Sequence, residues 1–128
     1  MTKQQLVIIP GLGDRGRLYR FLKPLWALFG FDVHIFVFGW ETETSFTTAF
    51  QKLLDYIDSL PGQLCIVGVS AGGTAAVNAL AARPAKTARI ATVCTPYERV
   101  PYLSNKLLAQ SIEEMKQSLR SLGNARQK

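Results

Sequence analysis

At 128 residues, 48% hydrophobic and 19% charged, the chain is one globular domain with an ordinary core, not a disordered or fibrous polypeptide. Its net charge of +6 is spread over scattered lysines and arginines, a pattern of solubility that speaks against nucleic acid as a partner. No apolar run approaches the roughly 18 residues of a membrane span, and Leu6–Ile9 is too short for the apolar stretch of a signal peptide.

Leu6-Val7-Ile8-Ile9 is a short, β-branched run ended by Pro10-Gly11, as expected of a strand buried on both faces. A glycine-rich loop, 10–16, follows. From Arg17, the residues Leu18, Phe21, Leu22, Leu25, Trp26 and Phe29 recur at helical spacing up to Gly30. Pro24 kinks this stretch or starts a second short helix. Val33–Phe38 is the second predicted strand, ended by Gly39-Trp40. Phe46 to Leu60 carries one apolar helical face and stops at Pro61-Gly62. Leu64–Val69 is the third strand, Ala71–Arg83 an alanine-rich helix stopped by Pro84, and Ile90–Cys94 a fourth strand broken by Pro96. Leu103 to Leu122 reads as an amphipathic helix with Gly123 just past its end, followed by a frayed basic tail. Cys65 and Cys94 fall in apolar strand runs and read as buried free thiols, consistent with a reducing cytoplasm.

Strands alternating with helices imply right-handed crossovers and a sheet covered on both faces. The predicted fold class is α/β: a small, doubly wound, mostly parallel sheet of about four strands. It forms one domain over 1–128, with its core at about 5–96 and the C-terminal helix at about 103–122.

The chemistry concentrates at Gly68-Val69-Ser70-Ala71-Gly72, a G-x-S-x-G pentapeptide between a buried strand and a helix. A serine hydroxyl is a poor nucleophile unless a base removes its proton and fixed donors meet the oxyanion that forms. Gly68 and Gly72 let strand and helix approach closely while Ser70 takes strained backbone angles. The amide of Ala71, opening the helix, would face the oxyanion. The bland alternative is a tight turn whose serine caps the helix.

A second oxyanion donor needs another strand end, and Gly11-Leu12-Gly13-Asp14 can supply it through the amide of Leu12, with Gly13 behind. The same loop fits G-x-G-x-x-G through Gly11, Gly13 and Gly16, a dinucleotide fingerprint. Against that, Pro10 occupies the tight turn, and Asp32 precedes the second strand where an acid should close it.

These features resemble the first half of an α/β-hydrolase. The resemblance rests on Ile8-Ile9-Pro10-Gly11-Leu12-Gly13-Asp14, on Phe31-Asp32-Val33, and on Ile66-Val67-Gly68-Val69-Ser70-Ala71-Gly72-Gly73, and extends to about Pro96. It implies a small serine esterase in which Ser70 is the nucleophile and Leu12 and Ala71 form the oxyanion hole. Pro10 stands where many members carry histidine.

The family supplies its acid and histidine after the serine, yet no histidine follows Ser70 in this chain. The single histidine, His34, is predicted about five residues before Gly39. At roughly 3.3 Å per residue it falls about 16 Å short of the edge where Ser70 sits, and reads as structural. Glu98, just past the fourth strand, is the acid candidate, with a solvated loop residue beside Arg99 as its plainer reading. Trp26, Trp40, Tyr97 and Tyr102 could line a pocket or belong to the core.

The expected function is hydrolysis of a small ester or related acyl substrate, with a non-catalytic binding module and a dinucleotide-binding domain as the alternatives. No cofactor, metal, nucleic acid or membrane partner is expected. The exposed edge of the last strand calls for cover, from the C-terminal helix, a partner protein or a second copy.

Overall fold

The computed structural model describes residues 3–42, 45–98 and 105–126. Four strands, β1 (Gln4–Ile9), β2 (Phe31–Ile35), β3 (Leu64–Val69) and β4 (Thr87–Val93), form one parallel sheet in the order β2-β1-β3-β4. The helices are α1 (Arg17–Phe21), α2 (Lys23–Leu28), α3 (Phe46–Ser59), α4 (Ala71–Ala82) and α5 (Lys106–Arg126).

The strand order fixes where a ligand can sit. From β1 the chain winds one way to β2, then crosses over to β3 and winds the other way to β4. Between β1 and β3 the loops leaving the carboxyl ends diverge, and that divergence opens the crevice used for binding in open α/β sheets. The loop after β1 and the turn after β3 border it.

Alternation along the strands divides the core into two layers. Val7, Ile9, Leu64 and Ile66 pack with Leu53, Ile57, Ala75, Ala79, Ile112 and Met115, burying one sheet face under α3, α4 and α5. Leu6, Ile8 and Val33 form a smaller cluster with Tyr19 and Trp26 under α1 and α2. Ser45 caps α3 through its Oγ, which accepts from the Thr48 amide at 3.1 Å. Asn105 caps α5, its Oδ1 accepting from the Leu108 amide at 3.0 Å.

The small residues of α4 let α5 approach closely, and a buried polar seam registers the two helices. Thr74 Oγ1 and Ser111 Oγ lie 2.7 Å apart. Asn78 Nδ2 donates to the Ser111 carbonyl at 3.1 Å, and Ser118 Oγ donates to Asn78 Oδ1 at 2.9 Å. Buried polar groups cost little only when paired in this way.

Several expectations shift. β2 runs over Phe31–Ile35 instead of Val33–Phe38; after Phe36, whose amide still donates to the Ile8 carbonyl at 2.9 Å, the chain leaves the sheet. Phe38 and Trp40 then turn inward, ring centroids 4.3 Å apart, as core residues. β4 begins at Thr87 instead of Ile90 and ends at Val93. The split of the first helical stretch around Pro24 is as expected. α5 is described from Lys106, residues 103 and 104 lying outside the described residues, and it continues through Gly123 to Arg126. Cys65 and Cys94 are both free, but neither is buried: Cys65 is half-buried and Cys94 exposed. On the sheet's second face the cluster under α1 and α2 reaches Cys65 and Val67 of β3 but not β4, where Arg89, Ala91 and Val93 stand exposed; Cys94 lies past the end of β4 in a left-handed turn, φ 52°.

Candidate active site at the turn between β3 and α4

Ser70 connects β3 directly to α4 and adopts φ 54°, ψ −120°. Only glycine enters this region freely, and a residue with a side chain held there costs about 1–3 kcal/mol. Neighbouring groups hold the conformation in place. The Ser70 amide donates to the Val93 carbonyl at 2.7 Å, and the Gly73 amide donates to the Ser70 carbonyl at 3.0 Å. The Ser70 side chain is exposed and makes no capping bond to the helix it precedes, contrary to the capping alternative.

The flanking glycines permit this packing. A Cβ at Gly72 would fall on the Ile9 carbonyl, and one at Gly68 on the backbone of Gly72 and Gly73. A Cβ at Gly11 would stand 3.0 Å from the Val69 carbonyl, 3.1 Å from Ser70 Cβ and 3.5 Å from the Ala71 nitrogen. The loop after β1 is therefore pressed against the serine turn. Ala71 is buried, and its N–H, at the first position of α4, has no acceptor among the described residues. Leu12 is half-buried, its side chain against the main core, one residue past the contact made by Gly11.

Gly13 and Gly16 both take positive φ, 72° and 78°, shaping the rest of the loop. Within it Asp14 Oδ1 accepts from the Gly16 amide at 2.7 Å. The chain's own carboxylate thus takes a turn donor that a dinucleotide pyrophosphate would need. Asp32 lies at the second position of β2, far from the carboxyl end that a ribose would require.

Beside the turn a cavity of about 190 Å³ is lined by Gly11, Gly13, Arg15, Val37, Trp40 and Glu41, among others. Trp40 Nε1 donates to the Pro10 carbonyl at 3.4 Å, and Asn105 Nδ2 donates to the Trp40 carbonyl at 2.9 Å. These two bonds tie the start of α5 to the loop after β1, a link that sequence alone did not disclose. Of the aromatic pocket candidates, Trp40 reaches this cavity from the core. Trp26 packs edge-on to Phe31 beneath α2, and Tyr97 is exposed with its hydroxyl 2.9 Å from Thr92 Oγ1. Tyr102 lies outside the described residues.

His34 is not part of this arrangement. It sits level with Val7, and Val7 with Ile66, so Ser70 lies four residues further along and two strands across. Those offsets amount to about 16 Å. Its Nε2 instead lies 2.6 Å from Gln5 Oε1 and 3.7 Å from Asp32 Oδ2, with its ring edge-on to Tyr56. Burial, and then the nearby Asp32 charge, hold the Tyr56 hydroxyl above its ordinary pKa. Glu98 is exposed beyond β4 with no partner among the described residues; Arg99 lies outside them. No group of three or more His, Cys, Asp and Glu side chains that could hold a metal converges among the described residues.

No protein-family model and no curated protein matches this chain. Solved structures do. The chain is similar to a thioesterase domain from the curacin biosynthetic pathway, with TM-score 0.65 and 20% identity over 80% of this chain and 40% of that one. A monoacylglycerol lipase from Paleococcus ferrophilus gives 0.65 and 24% over 77% and 41% of the two chains. An α/β hydrolase from the metagenome of lagoon sediments at Mar Chica, Morocco, gives 0.62 and 16% over 93% and 56%. The chain thus spans about two-fifths to just over half the length of these proteins. Over the segment it spans, this chain has the α/β-hydrolase fold.

Proposed function

We propose that this chain carries the nucleophile half of a serine hydrolase acting on small esters or related acyl compounds. The observation that carries this reading is the conformation of Ser70: an exposed serine at φ 54°, ψ −120°, with the unpaired Ala71 N–H next in the chain. A merely structural turn at this position would be met more cheaply by glycine.

In this reading Ser70 Oγ attacks the substrate carbonyl carbon, forming a C–O bond as a base takes its proton. The carbonyl oxygen becomes an oxyanion facing the N–H groups of Ala71 and Leu12, each worth about 10²–10³ in rate. Collapse breaks the bond to the leaving alcohol, which recovers the proton, and water then releases the acyl group from Ser70. Gly11, Gly13, Gly68 and Gly72 keep the backbone close enough for both donors to serve one oxygen. The base cannot be His34, some 16 Å away. It is supplied from outside the described residues of this chain, and Glu98 takes the acid's place only once a histidine is delivered beside it.

Hydrolysis of p-nitrophenyl butyrate, with imidazole added in place of the absent base, tests the proposal. Imidazole-dependent turnover above the solution background, lost in Ser70→Ala, supports it. Turnover equal in both proteins overturns it. The remoteness of His34 favours a second reading, a non-catalytic binder of acyl compounds. Wild-type protein that is thermally stabilised by an ester yet shows no turnover with imidazole would support that reading.

A further inference from the structure

The two helices after the glycine loop present a surface that the proposed chemistry does not use. Leu18, Phe21, Leu25, Leu28 and Phe29 follow one another at spacings of three or four residues or one, which gathers them on one side of α1 and α2. All five stand out in solvent, Phe21 and Leu28 at 81% exposure and Phe29 at 72%. Together they expose on the order of 500 Å² of apolar surface, at the upper end of what a typical monomer shows in one patch. Tyr19 and Trp26 point the other way, into the small cluster on β1 and β2.

The charge borne by the stripe's own segment is of one sign, with Asp14 just before it in the groove beside Leu18. Arg15, Arg17, Arg20 and Lys23 are all exposed, and no acidic residue occurs between Asp14 and Asp32. None of the four has an ion-pair partner among the described residues. Although the cations of the whole chain are scattered, these four fall within the nine residues 15–23, interleaved with the apolar stripe. A second copy docking here would bring four cations against four, and like-charge juxtaposition opposes that. A nucleic acid would match the cations and leave the leucines and phenylalanines unburied.

We propose that α1 and α2 dock this protein on an anionic lipid surface. The five apolar side chains enter the boundary between headgroups and acyl chains, and the four cations meet the lipid phosphates and carboxylates. This departs from the expectation of no membrane partner, which rested on the want of an apolar run long enough to span a bilayer. A helix lying in the interface needs no such run. An open groove of about 580 Å³, lined by Leu12, Gly13, Asp14, Arg15, Arg17 and Leu18, joins the stripe to the loop beside Ser70. Docking would therefore set the serine turn near the lipid.

Flotation with vesicles of phosphatidylcholine alone, and of phosphatidylcholine mixed equally with phosphatidylserine, tests this. The wild type is expected to float with the mixed vesicles, to stay behind with phosphatidylcholine, and to be released by raised salt. Arg17→Gln/Arg20→Gln is expected to lower binding about thirtyfold; Phe21→Ser/Leu28→Ser is expected to abolish it. These are exposed positions, and an unchanged far-ultraviolet circular dichroism spectrum confirms that each variant folds. Ser70→Ala binds as the wild type, which separates this surface from the proposed chemistry. Absence of binding, equal binding to both vesicles, or variants that bind like the wild type would each overturn the proposal. So would a concentration-dependent dimer that Phe21→Ser/Leu28→Ser dissolves, which would assign the stripe to a second copy.

Discussion

The amide of Ser70 donates to the carbonyl of Val93 at 2.7 Å, so the strained turn leaving β3 is held by the last residue of β4. On the other side Gly72 sits against the Ile9 carbonyl at the end of β1. Three neighbouring strands thus fix one serine, and the cost of its backbone conformation is carried by bonds and packing already needed to close the sheet.

Adding a methyl group at Gly68 or Gly72 strikes backbone, which cannot swing aside. Gly68→Ala and Gly72→Ala are expected to lose about 3 kcal/mol each, the upper range for overpacking. Gly123→Ala has open space inside α5 and is expected to gain about 0.5 kcal/mol. Urea unfolding at neutral pH measures all three.

Ser70→Gly is expected to stabilise the fold by about 1 kcal/mol, because relief of the positive-φ strain exceeds the added freedom of the unfolded chain. Ser70→Ala keeps the strain and is expected to stay within about 0.5 kcal/mol of the wild type. A glycine variant no more stable than the wild type would show that the serine conformation stores nothing.

The seam between α4 and α5 depends on Asn78, which donates to the Ser111 carbonyl and accepts from Ser118. Asn78→Leu strands both buried partners and is expected to cost about 3 kcal/mol. In a double-mutant cycle Asn78→Ala and Ser118→Ala should couple by about 1 kcal/mol. Additive effects would mean that the seam does not act as a network.

Arg83 grips Asp58 with Nε to Oδ1 at 2.9 Å and the second guanidinium nitrogen to Oδ2 at 3.1 Å, joining the ends of α3 and α4. The hydrogen bonds from Arg83 hold the Asp58 carboxyl below its ordinary pKa. A carboxyl lowered by folding stabilises the fold above its unfolded pKa, about 3.9, and that stabilisation is lost as pH falls through the folded value. Asp58→Asn should therefore melt below the wild type at pH 7, with the gap closing below about pH 4 and shrinking with salt. Asp58 is exposed and Arg83 only half-buried, so the gap should be small.

The sequence discloses β3 and α4 almost residue for residue, because a β-branched run, two glycines and an alanine-rich stretch leave little choice at Leu64–Ala82. It does not disclose where β2 ends. Val33–Phe38 is one apolar run, and such a run reads alike whether it lies in a sheet or dives into a core, as Phe38 and Trp40 do. The stretch from Leu18 to Phe29 is apolar on both its faces, so periodicity alone could not say that Trp26 faces in and Phe21 out. The partners of Asn78 and the link from Asn105 through Trp40 to Pro10 join residues far apart in the chain. No local pattern encodes them.

Mass mapping of the adduct left by a fluorophosphonate, in the presence of imidazole, probes the serine turn most directly. A phosphonyl group on the peptide bearing Ser70, and none on Ser70→Ala, is the result expected of a hydroxyl held before free backbone donors. A wild-type chain that stays unmodified, or carries its adduct on another residue, would contradict that arrangement.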